Sequence, residues 1–301
     1  MKGLPLPAVL VLGAIACTSV QTQPEKSNSV QRGPREELIG IPMGTDPEDG
    51  HPLLLQATLY RPERQGRVPL VIMNHGAPPT RDADKRRGMG RSRYPVISTW
   101  FVEHGFAVVV PMRRGYAGSD GDYAEDVGTC QNPDYTRAAR ETARDIAAAV
   151  DHLSHADFVE PGHIVVVGAS AGGLGGLAFA AAPSTPVSGV INFSGGRGGR
   201  DPDGSGRRCA PERLVDSAAL FGKTARVPTL WLYSENDTWF PPDIARSMSE
   251  AFRRGGGTSE LVVVGPVEDE GHLLSRSAQG VPLWSPPVVR FLQGLGYAIQ
   301  P

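Results

Sequence analysis

Residues 165–173, with the sequence VVVGASAGG, constrain this chain more than any other stretch. A β-branched run, a Gly-x-Ser-x-Gly turn around Ser170 and a run of small residues together predict a buried strand, a sharp bend and a helix. Gly168 and Gly172 allow the strand and the helix to approach without Cβ clashes. Such a bend presents the serine hydroxyl as a nucleophile, and it points the backbone N–H of Ala171 at a developing oxyanion.

Composition and spacing exclude several other kinds of site. The net charge of −2 gives no reason to expect nucleic acid as a partner. The glycines of 173–178 formally fit a dinucleotide fingerprint, but they lie inside the predicted helix and no acidic residue follows about 20 positions on. The chain has no complete GxxxxGK[ST] phosphate-binding motif and no Cys/His spacing typical of zinc. We therefore predict a site that uses no metal and no cofactor.

The order of apolar runs and helical patterns predicts an α/β fold. Strands alternating with helices, several of them apolar throughout, indicate a mostly parallel, doubly wound sheet with an antiparallel edge at the N-terminus. The predicted strands are 37–43, 52–60, 68–74, 106–111, 162–168, 187–193, 227–234 and 260–264. The predicted helices are 94–104, 134–153, 170–182, 242–254 and 284–295, and 209–226 is left open between loop and helix.

The N-terminus reads as an export signal. Lys2 is followed by an apolar run of about a dozen residues, too short to span a bilayer. Residues 14–17 resemble a bacterial lipobox, which would lipidate Cys17 and attach the chain to a membrane; ordinary cleavage near Ala16 followed by soluble export is the alternative. We predict a signal peptide over 1–17, a flexible linker over 18–36 and a catalytic domain over 37–301.

Export determines the expected oxidation state of the other two cysteines. Cys130 and Cys209 form an even pair, and in the periplasm the expected state is a disulfide rather than two buried thiols. The bond would close a loop of about 80 residues, which is worth roughly 4 kcal/mol on the chain-entropy description. It would also tie the Gly/Arg-rich loop 194–208 to the region around Cys130, near the mouth of the pocket.

Three polar residues follow three separate predicted strands, in the order Ser170, Asp237, His272. The carboxyl ends of parallel strands meet at one edge of the sheet, so the three side chains are expected to converge there. His272 would take the proton of Ser170, and Asp237 would orient His272, with Asp243 as the next candidate for the acid.

The turn 74–79 after the third strand is the expected source of a second oxyanion donor. Prolines at 78 and 79 have no N–H, so the donor should be Ala77, or else Gly76. His75 directly follows the strand, which favours a structural role in the loop over a role as the base. The basic segment 81–93 reads as a solvated loop, with steering of anionic substrates as the alternative.

From residue 68 to His272 the chain resembles α/β-hydrolases of the dienelactone hydrolase and prolyl-oligopeptidase-like group. The matching pieces are 74–76, 114–119, 168–172, 234–237 and 271–272. The resemblance implies that the arginine of 114–119 is mainly structural. Dienelactone hydrolases proper have cysteine where this chain has Ser170, and the peptidases of the group carry an N-terminal propeller for which this chain has no room.

These observations predict an exported serine esterase that acts on a small-molecule ester. A small peptidase or amidase using the same three residues is the alternative. A non-catalytic envelope binding protein on a hydrolase scaffold is the third hypothesis, and it comes from a different functional class.

Overall fold

The computed structural model describes residues 1, 3, 35–46, 48–78, 82–199 and 208–300. Contacts between residues separate 1–32 from 33–301, and every helix and strand below lies in the second unit. The signal segment 1–17 with Cys17, apart from residues 1 and 3, and nearly all of the linker 18–36 fall outside the described residues. Their assignments stay predictions.

The described residues form eight strands, seven α-helices and two short 3-10 turns at Gly271–Leu273 and Ala278–Gly280. The strands are β1 Glu36–Thr45, β2 Pro52–Tyr60, β3 Val68–Asn74, β4 Ala107–Pro111, β5 Val159–Ala169, β6 Gly189–Phe193, β7 Thr229–Ser234 and β8 Ser259–Val264. The helices are α1 Ala83–Arg87, α2 Pro95–Glu103, α3 Tyr135–Leu153, α4 Ala171–Ala180, α5 Pro211–Gly222, α6 Pro242–Gly255 and α7 Val281–Gly294.

All eight strands belong to one sheet, in the order β1-β2-β4-β3-β5-β6-β7-β8. The β1–β2 and β2–β4 pairs are antiparallel, and every pair from β4 through β3 to β8 is parallel. The predicted α/β fold, a mostly parallel sheet with an antiparallel N-terminal edge, is therefore confirmed. The parallel strands all end at the same edge, and the loops that follow them there carry the candidate site.

Helices cover both faces of the sheet. Successive β5 residues show this: Val165 and Val167 pack in a core with α2 and α7, whereas Val166 packs in a second core with α3 and α4. A third core joins α3 and α4 to α5 and α6 over β7. Because β3, β4, β6, β7 and the 164–169 part of β5 are covered on both sides, they are apolar along nearly their whole length, as predicted.

Several elements differ from the sequence-based expectation. Helix α1 lies within the basic segment 81–93 that was predicted as a loop, and α7 begins at Val281, three residues before the predicted start. Strand β5 begins at Val159, three residues before the predicted start, because it continues through the Pro161-Gly162 pair with Gly162 at φ +77° and an irregular register against β3. The segment 209–226, for which the sequence did not decide between loop and helix, contains α5. This helix begins at Pro211, and a proline in the first helical turn costs no hydrogen bond because an N–H there has no partner within the helix. In the described part of the chain, no helix is long and apolar enough to cross a membrane.

Candidate active site

Ser170 lies on a strained bend between β5 and α4. Its backbone has φ +54° and ψ −120°, a region that residues with a Cβ rarely occupy. Backbone hydrogen bonds hold this conformation: Ser170 N–H donates to Phe193 O at 3.0 Å, and Ser170 O accepts from Gly196 N–H at 3.1 Å. The bend leaves the hydroxyl at the carboxyl edge of the sheet, at the N-terminus of α4.

The glycines that flank the serine are required by close packing. A Cβ at Gly172 would lie 2.3 Å from Asn74 O, and a Cβ at Gly168 would lie 2.3 Å from Gly172 O. Both distances are far below van der Waals contact, and both obstructing atoms are backbone. The Gly-x-Ser-x-Gly pattern is thus explained by the approach of α4 to β3 and β5.

The turn after β3 lies against the serine, as an oxyanion loop must. A Cβ at Gly76 would be 3.1 Å from Ser170 Cβ and 3.6 Å from Ser170 Oγ. Gly76 N–H donates to the hydroxyl of Tyr94 at 3.1 Å, so this alternative donor already has a partner. Ala77 is exposed next to it, and Ala171 is the first residue of α4, where backbone N–H groups have no acceptor inside the helix.

His75 is a buried structural residue. Its Nδ1 lies 2.6 Å from Gly76 O, and its Nε2 lies 3.2 Å from the backbone nitrogen of Arg113. A carbonyl on one side and an N–H on the other are satisfied only by the neutral ring with its proton on Nδ1. Burial, with the nearby Arg113 guanidinium, lowers the pKa of His75 to about 3. Neither ring nitrogen is available to serve as the base.

Asp237 and His272 meet although they follow different strands. His272 Nδ1 lies 3.2 Å from Asp237 Oδ2. Asp237 Oδ1 accepts the backbone N–H groups of Trp239 and Phe240, both at 2.9 Å, so the buried carboxylate is fixed on both oxygens. Asp243 is exposed in the first turn of α6. The structure therefore brings Asp237, rather than Asp243, to the histidine.

Side chains from both loops hold this pair together. Asn236 Oδ1 accepts Val267 N–H at 3.0 Å, and its amide donates to the carbonyls of Val267 and Glu268. Glu270 accepts from the backbone of both His272 and Thr238. Sequence reasoning missed both residues, since the only signal was their position beside Asp237 and His272.

Ser170 is not hydrogen-bonded to His272 in this structure, judged over the contacts of the described residues. The aromatic rings of Trp239 and Phe240 have their centroids 5.8 and 5.5 Å from that of His272. With Nδ1 directed at Asp237, Nε2 is the nitrogen left to receive a proton. Bonds between base and nucleophile are often long without substrate and shorten in the substrate complex.

A buried ionic cluster supports the oxyanion turn from below. Arg113 donates to His75 O at 2.5 Å and to the carboxylate of Glu125, which also accepts from Arg197 at 2.5 Å. Burial raises the pKa of Glu125, but the Arg113 and Arg197 guanidinium groups outweigh it and hold the pKa well below its usual range. Because Glu125 stays ionised, neither arginine is left as an uncompensated buried charge.

Cys130 and Cys209 are joined by a disulfide that lies close to the acid loop, residues 235–241 after β7, which carries Asp237. Arg208, beside Cys209, donates to the carbonyls of Trp239 at 2.8 Å and Thr238 at 2.7 Å. The bridge therefore anchors a side chain that contacts the residues directly after Asp237. Loop 200–207 lies outside the described residues.

In the basic segment, Arg81 lies outside the described residues, the exposed Lys85 pairs with Asp82, and the other four cations contact the fold. Arg114, beyond that segment, likewise binds Asp145 and Glu141, consistent with a structural role. The contacts of the segment itself are Arg86 over the Tyr123 ring, Arg87 to the carbonyls of Ser119 and Gly121, and Arg91 and Arg93 to Glu36. These contacts favour a structural role over steering of anionic substrates. Across the described residues, no group of three or more His, Cys, Asp and Glu side chains is placed to hold a metal ion.

Two sequence comparisons bear on this site. The family model of X-Pro dipeptidyl-peptidase (S15 family) matches residues 49–207, more than half of the chain. The match includes Ser170 and ends before Asp237 and His272. The quorum-quenching protein AidA of Acinetobacter baumannii (strain MDR-ZJ06) is 28% identical over 133 residues, which is 44% of this chain and only 38% of AidA.

Solved structures share the fold over nearly the whole chain. A protein named as a dienelactone hydrolase from Klebsiella pneumoniae subsp. pneumoniae MGH 78578 has a TM-score of 0.54 at 18% identity, covering 86% of this chain and 99% of that one. Est1E from Butyrivibrio proteoclasticus, solved with ferulic acid, has a TM-score of 0.56 at 20% identity, covering 85% and 98%. Identities this low show a common α/β-hydrolase fold.

Proposed function

We propose that this chain, which belongs to the X-Pro dipeptidyl-peptidase (S15) family within the α/β-hydrolases, hydrolyses small carboxylic esters with Ser170 as nucleophile. The observation that carries the proposal is the placement of Ser170 on a strained strand-to-helix bend. The His272–Asp237 pair lies on the loops after β7 and β8, at the same edge of the sheet. Each residue type is one that acyl transfer needs at such an edge.

The first half-reaction acylates the serine. Ser170 Oγ attacks the ester carbonyl carbon while its proton passes to His272 Nε2, and Asp237 stabilises the imidazolium through Nδ1–H. The carbonyl oxygen becomes an oxyanion that the N–H groups of Ala77 and Ala171 stabilise, each by about 3 kcal/mol. The ester C–O bond then breaks, and His272 gives the proton to the departing alcohol oxygen.

The second half-reaction restores the enzyme. Water attacks the acyl carbon and passes a proton to His272, and a second tetrahedral oxyanion forms. Its collapse releases the carboxylic acid and returns the proton to Ser170 Oγ. No cofactor enters the balance of either half-reaction.

Labelling by a fluorophosphonate, with hydrolysis of p-nitrophenyl acetate and butyrate, tests the proposal. We expect labelling of the wild type, and near-complete loss of labelling and activity in Ser170→Ala and His272→Ala. Ser194→Ala is the matched control, because Ser194 follows the next strand with φ +47°. We expect Asp237→Asn to lose about 10³- to 10⁴-fold in kcat and Asp243→Asn to keep its activity. An unlabelled wild type would exclude serine catalysis and leave a non-catalytic binding role.

The family match favours a second candidate, a dipeptidyl peptidase acting on X-Pro amides with the same residues. The two activities separate by the ratio of kcat/KM for p-nitrophenyl esters to that for an X-Pro p-nitroanilide. A ratio above about 10³ supports the esterase, and a ratio near one supports the peptidase. Both candidates predict the same effects of the Ser170 and His272 variants.

Export is also part of the proposal. The apolar N-terminal segment and the Cys130–Cys209 disulfide support an oxidising compartment. Fractionation of bacteria that express the full chain tests this, with Cys17→Ser as the control. A lipoprotein should be found in the membrane fraction and leave it in Cys17→Ser, a soluble export product should be periplasmic in both, and a cytoplasmic location would contradict export.

A further inference from the structure

Glu270 joins the acid loop to the base loop, residues 265–277 after β8, which carries His272. It does so with a single carboxylate. Its Oε1 accepts the backbone N–H of His272 and of Thr238, both at 3.0 Å, and its Oε2 accepts the Thr238 hydroxyl. Thr238 is the residue after Asp237. One side chain therefore contacts the main chain of His272 and the residue adjoining Asp237.

The carboxylate of Glu270 is ionised at neutral pH. Partial burial raises the pKa of Glu270, but the hydrogen bonds from Thr238 and from the His272 backbone outweigh this effect and lower the pKa. Charged acceptors form stronger hydrogen bonds than neutral ones. The connection between the loops is therefore a charge-assisted one.

Two carboxylates, one from each loop, lie near His272. Asp237 binds Nδ1 directly, and Glu270 lies two residues before His272 and binds its backbone. The other recorded ring neighbours, Trp239 and Phe240, carry no charge. Within the described part of the chain, the charged groups recorded against His272 are thus both acidic, and a negative charge attracts the cationic form of a nearby imidazole.

Geometry makes the distance between the loops critical. The 3.2 Å contact between Asp237 and His272 spans loops that follow two different strands. Gly271, between Glu270 and His272, approaches so closely that a Cβ there would lie 2.5 Å from Asn236 Oδ1 and 2.7 Å from Asp237 N. A small separation of the loops would break the acid–base contact.

We propose that Glu270 is a positioning residue that sets both the orientation and the basicity of His272. This inference rests on the proposed function, since it concerns the base of that reaction. Glu270 does not contact the substrate; it acts through His272.

The test combines pH–rate profiles with direct titration of the histidine. In Glu270→Gln the size is kept and the charge is lost, so the pKa of His272 and the acid limb of kcat/KM should fall by about 0.5 pH unit. In Glu270→Ala the loop contact is also lost, and kcat/KM at its maximum should fall by about 10- to 100-fold with KM little changed. The pKa is read by NMR on ¹³C-histidine-labelled protein, with the His272 signal assigned from its loss in His272→Gln.

Asp269→Asn is the matched control, because it removes an exposed carboxylate one residue earlier in the same loop. Its shift should be less than half that of Glu270→Gln. An unchanged His272 titration in Glu270→Gln would overturn the inference, even if the variant were less stable, because a purely structural role moves the melting temperature alone. Failure of the proposed function looks different: the wild type is then neither labelled nor active, while the NMR titration still decides the role of Glu270.

Discussion

His75 and His272 lie at the same edge of the sheet, yet their ring nitrogens have different partners. Both nitrogens of His75 are occupied by backbone groups and the ring is buried, whereas His272 has a carboxylate on Nδ1 and partial exposure. The first arrangement leaves no ring nitrogen available to take a proton, whereas the second leaves Nε2 without a backbone partner among the described residues. Environment, rather than residue type, therefore separates the structural histidine from the candidate base.

His75 should make the protein less stable in mild acid. The pKa of His75 is lowered to about 3 in the folded protein, whereas the unfolded chain binds a proton below about pH 6.5. Between these values unfolding takes up a proton, so the free energy of unfolding falls as pH falls, by up to about 1.4 kcal/mol per pH unit from this group. Urea unfolding at pH 7 and pH 5 should show a shallower dependence in His75→Gln. The exposed His155→Gln should match the wild type, and an equal slope in all three would contradict the assignment.

At the residue scale the sequence indicated the candidate catalytic residues but not the residues that hold them in place. Ser170, Asp237 and His272 were predicted because each follows a strand and their order is distinctive. Glu270, Asn236 and Tyr94 could not be found this way. Their roles depend on which loops come together in space, and no local pattern records that. Glu270 is one of several acidic residues in its stretch, and only the fold shows which one turns inward.

Helix α4 shows how an element can be dictated by its neighbours. Seven of its ten residues are glycine or alanine, and the helix packs on β3, β5, β6 and α3. Gly172 approaches the carbonyls of Asn74 and His75, and Gly175 approaches Thr142 of α3. The glycines lower the helix propensity of α4, but they allow this close packing.

Adding one methyl group at this contact should be costly. In Gly172→Ala the new Cβ would lie 2.3 Å from Asn74 O, so β3 or α4 must shift, and we expect a loss of about 1–3 kcal/mol or more. Gly294→Ala, at the end of α7, meets no atom within 4 Å and should be neutral or stabilise by up to about 1 kcal/mol. Thermal melting of the two variants tests this, and equal melting temperatures would contradict the packing argument.

Strands and long helices were predicted well because their apolar periodicity is a local property. The β3 bounds agree at both ends, since a strand covered on both faces is apolar throughout and turn residues follow it. The start of β5 was missed because a Pro-Gly pair usually ends a strand, and here the strand tolerates it as an irregularity. The sequence did not decide between loop and helix around α5 because polar and apolar residues are mixed there. The helical state of α5 depends on packing against α6.

For the whole molecule, the disulfide joins parts of the chain 79 residues apart. Closing a loop of this length restricts the unfolded chain and should stabilise the fold by about 4 kcal/mol. We expect dithiothreitol to lower the melting temperature of the wild type and to leave the Cys130→Ser/Cys209→Ser double variant unchanged. A wild-type melting curve that is indifferent to the reductant would show that the bridge does not form in solution.

The backbone of Ser170 places activity and stability in opposition. A positive φ costs a residue with a Cβ about 1–3 kcal/mol, and glycine escapes this cost. Ser170→Ala and Ser170→Gly both lack the proposed nucleophile, but only alanine keeps the unfavourable Cβ. We expect the free energy of unfolding to be about 1 kcal/mol higher for the glycine variant than for the alanine variant, after the greater chain entropy of glycine is subtracted. The glycine variant should therefore also have the higher melting temperature. Identical melting temperatures of the two variants would show that the bend carries no such conflict. If the difference is found, the most stable form of this protein is one that cannot react, and only selection for turnover would keep a serine at position 170.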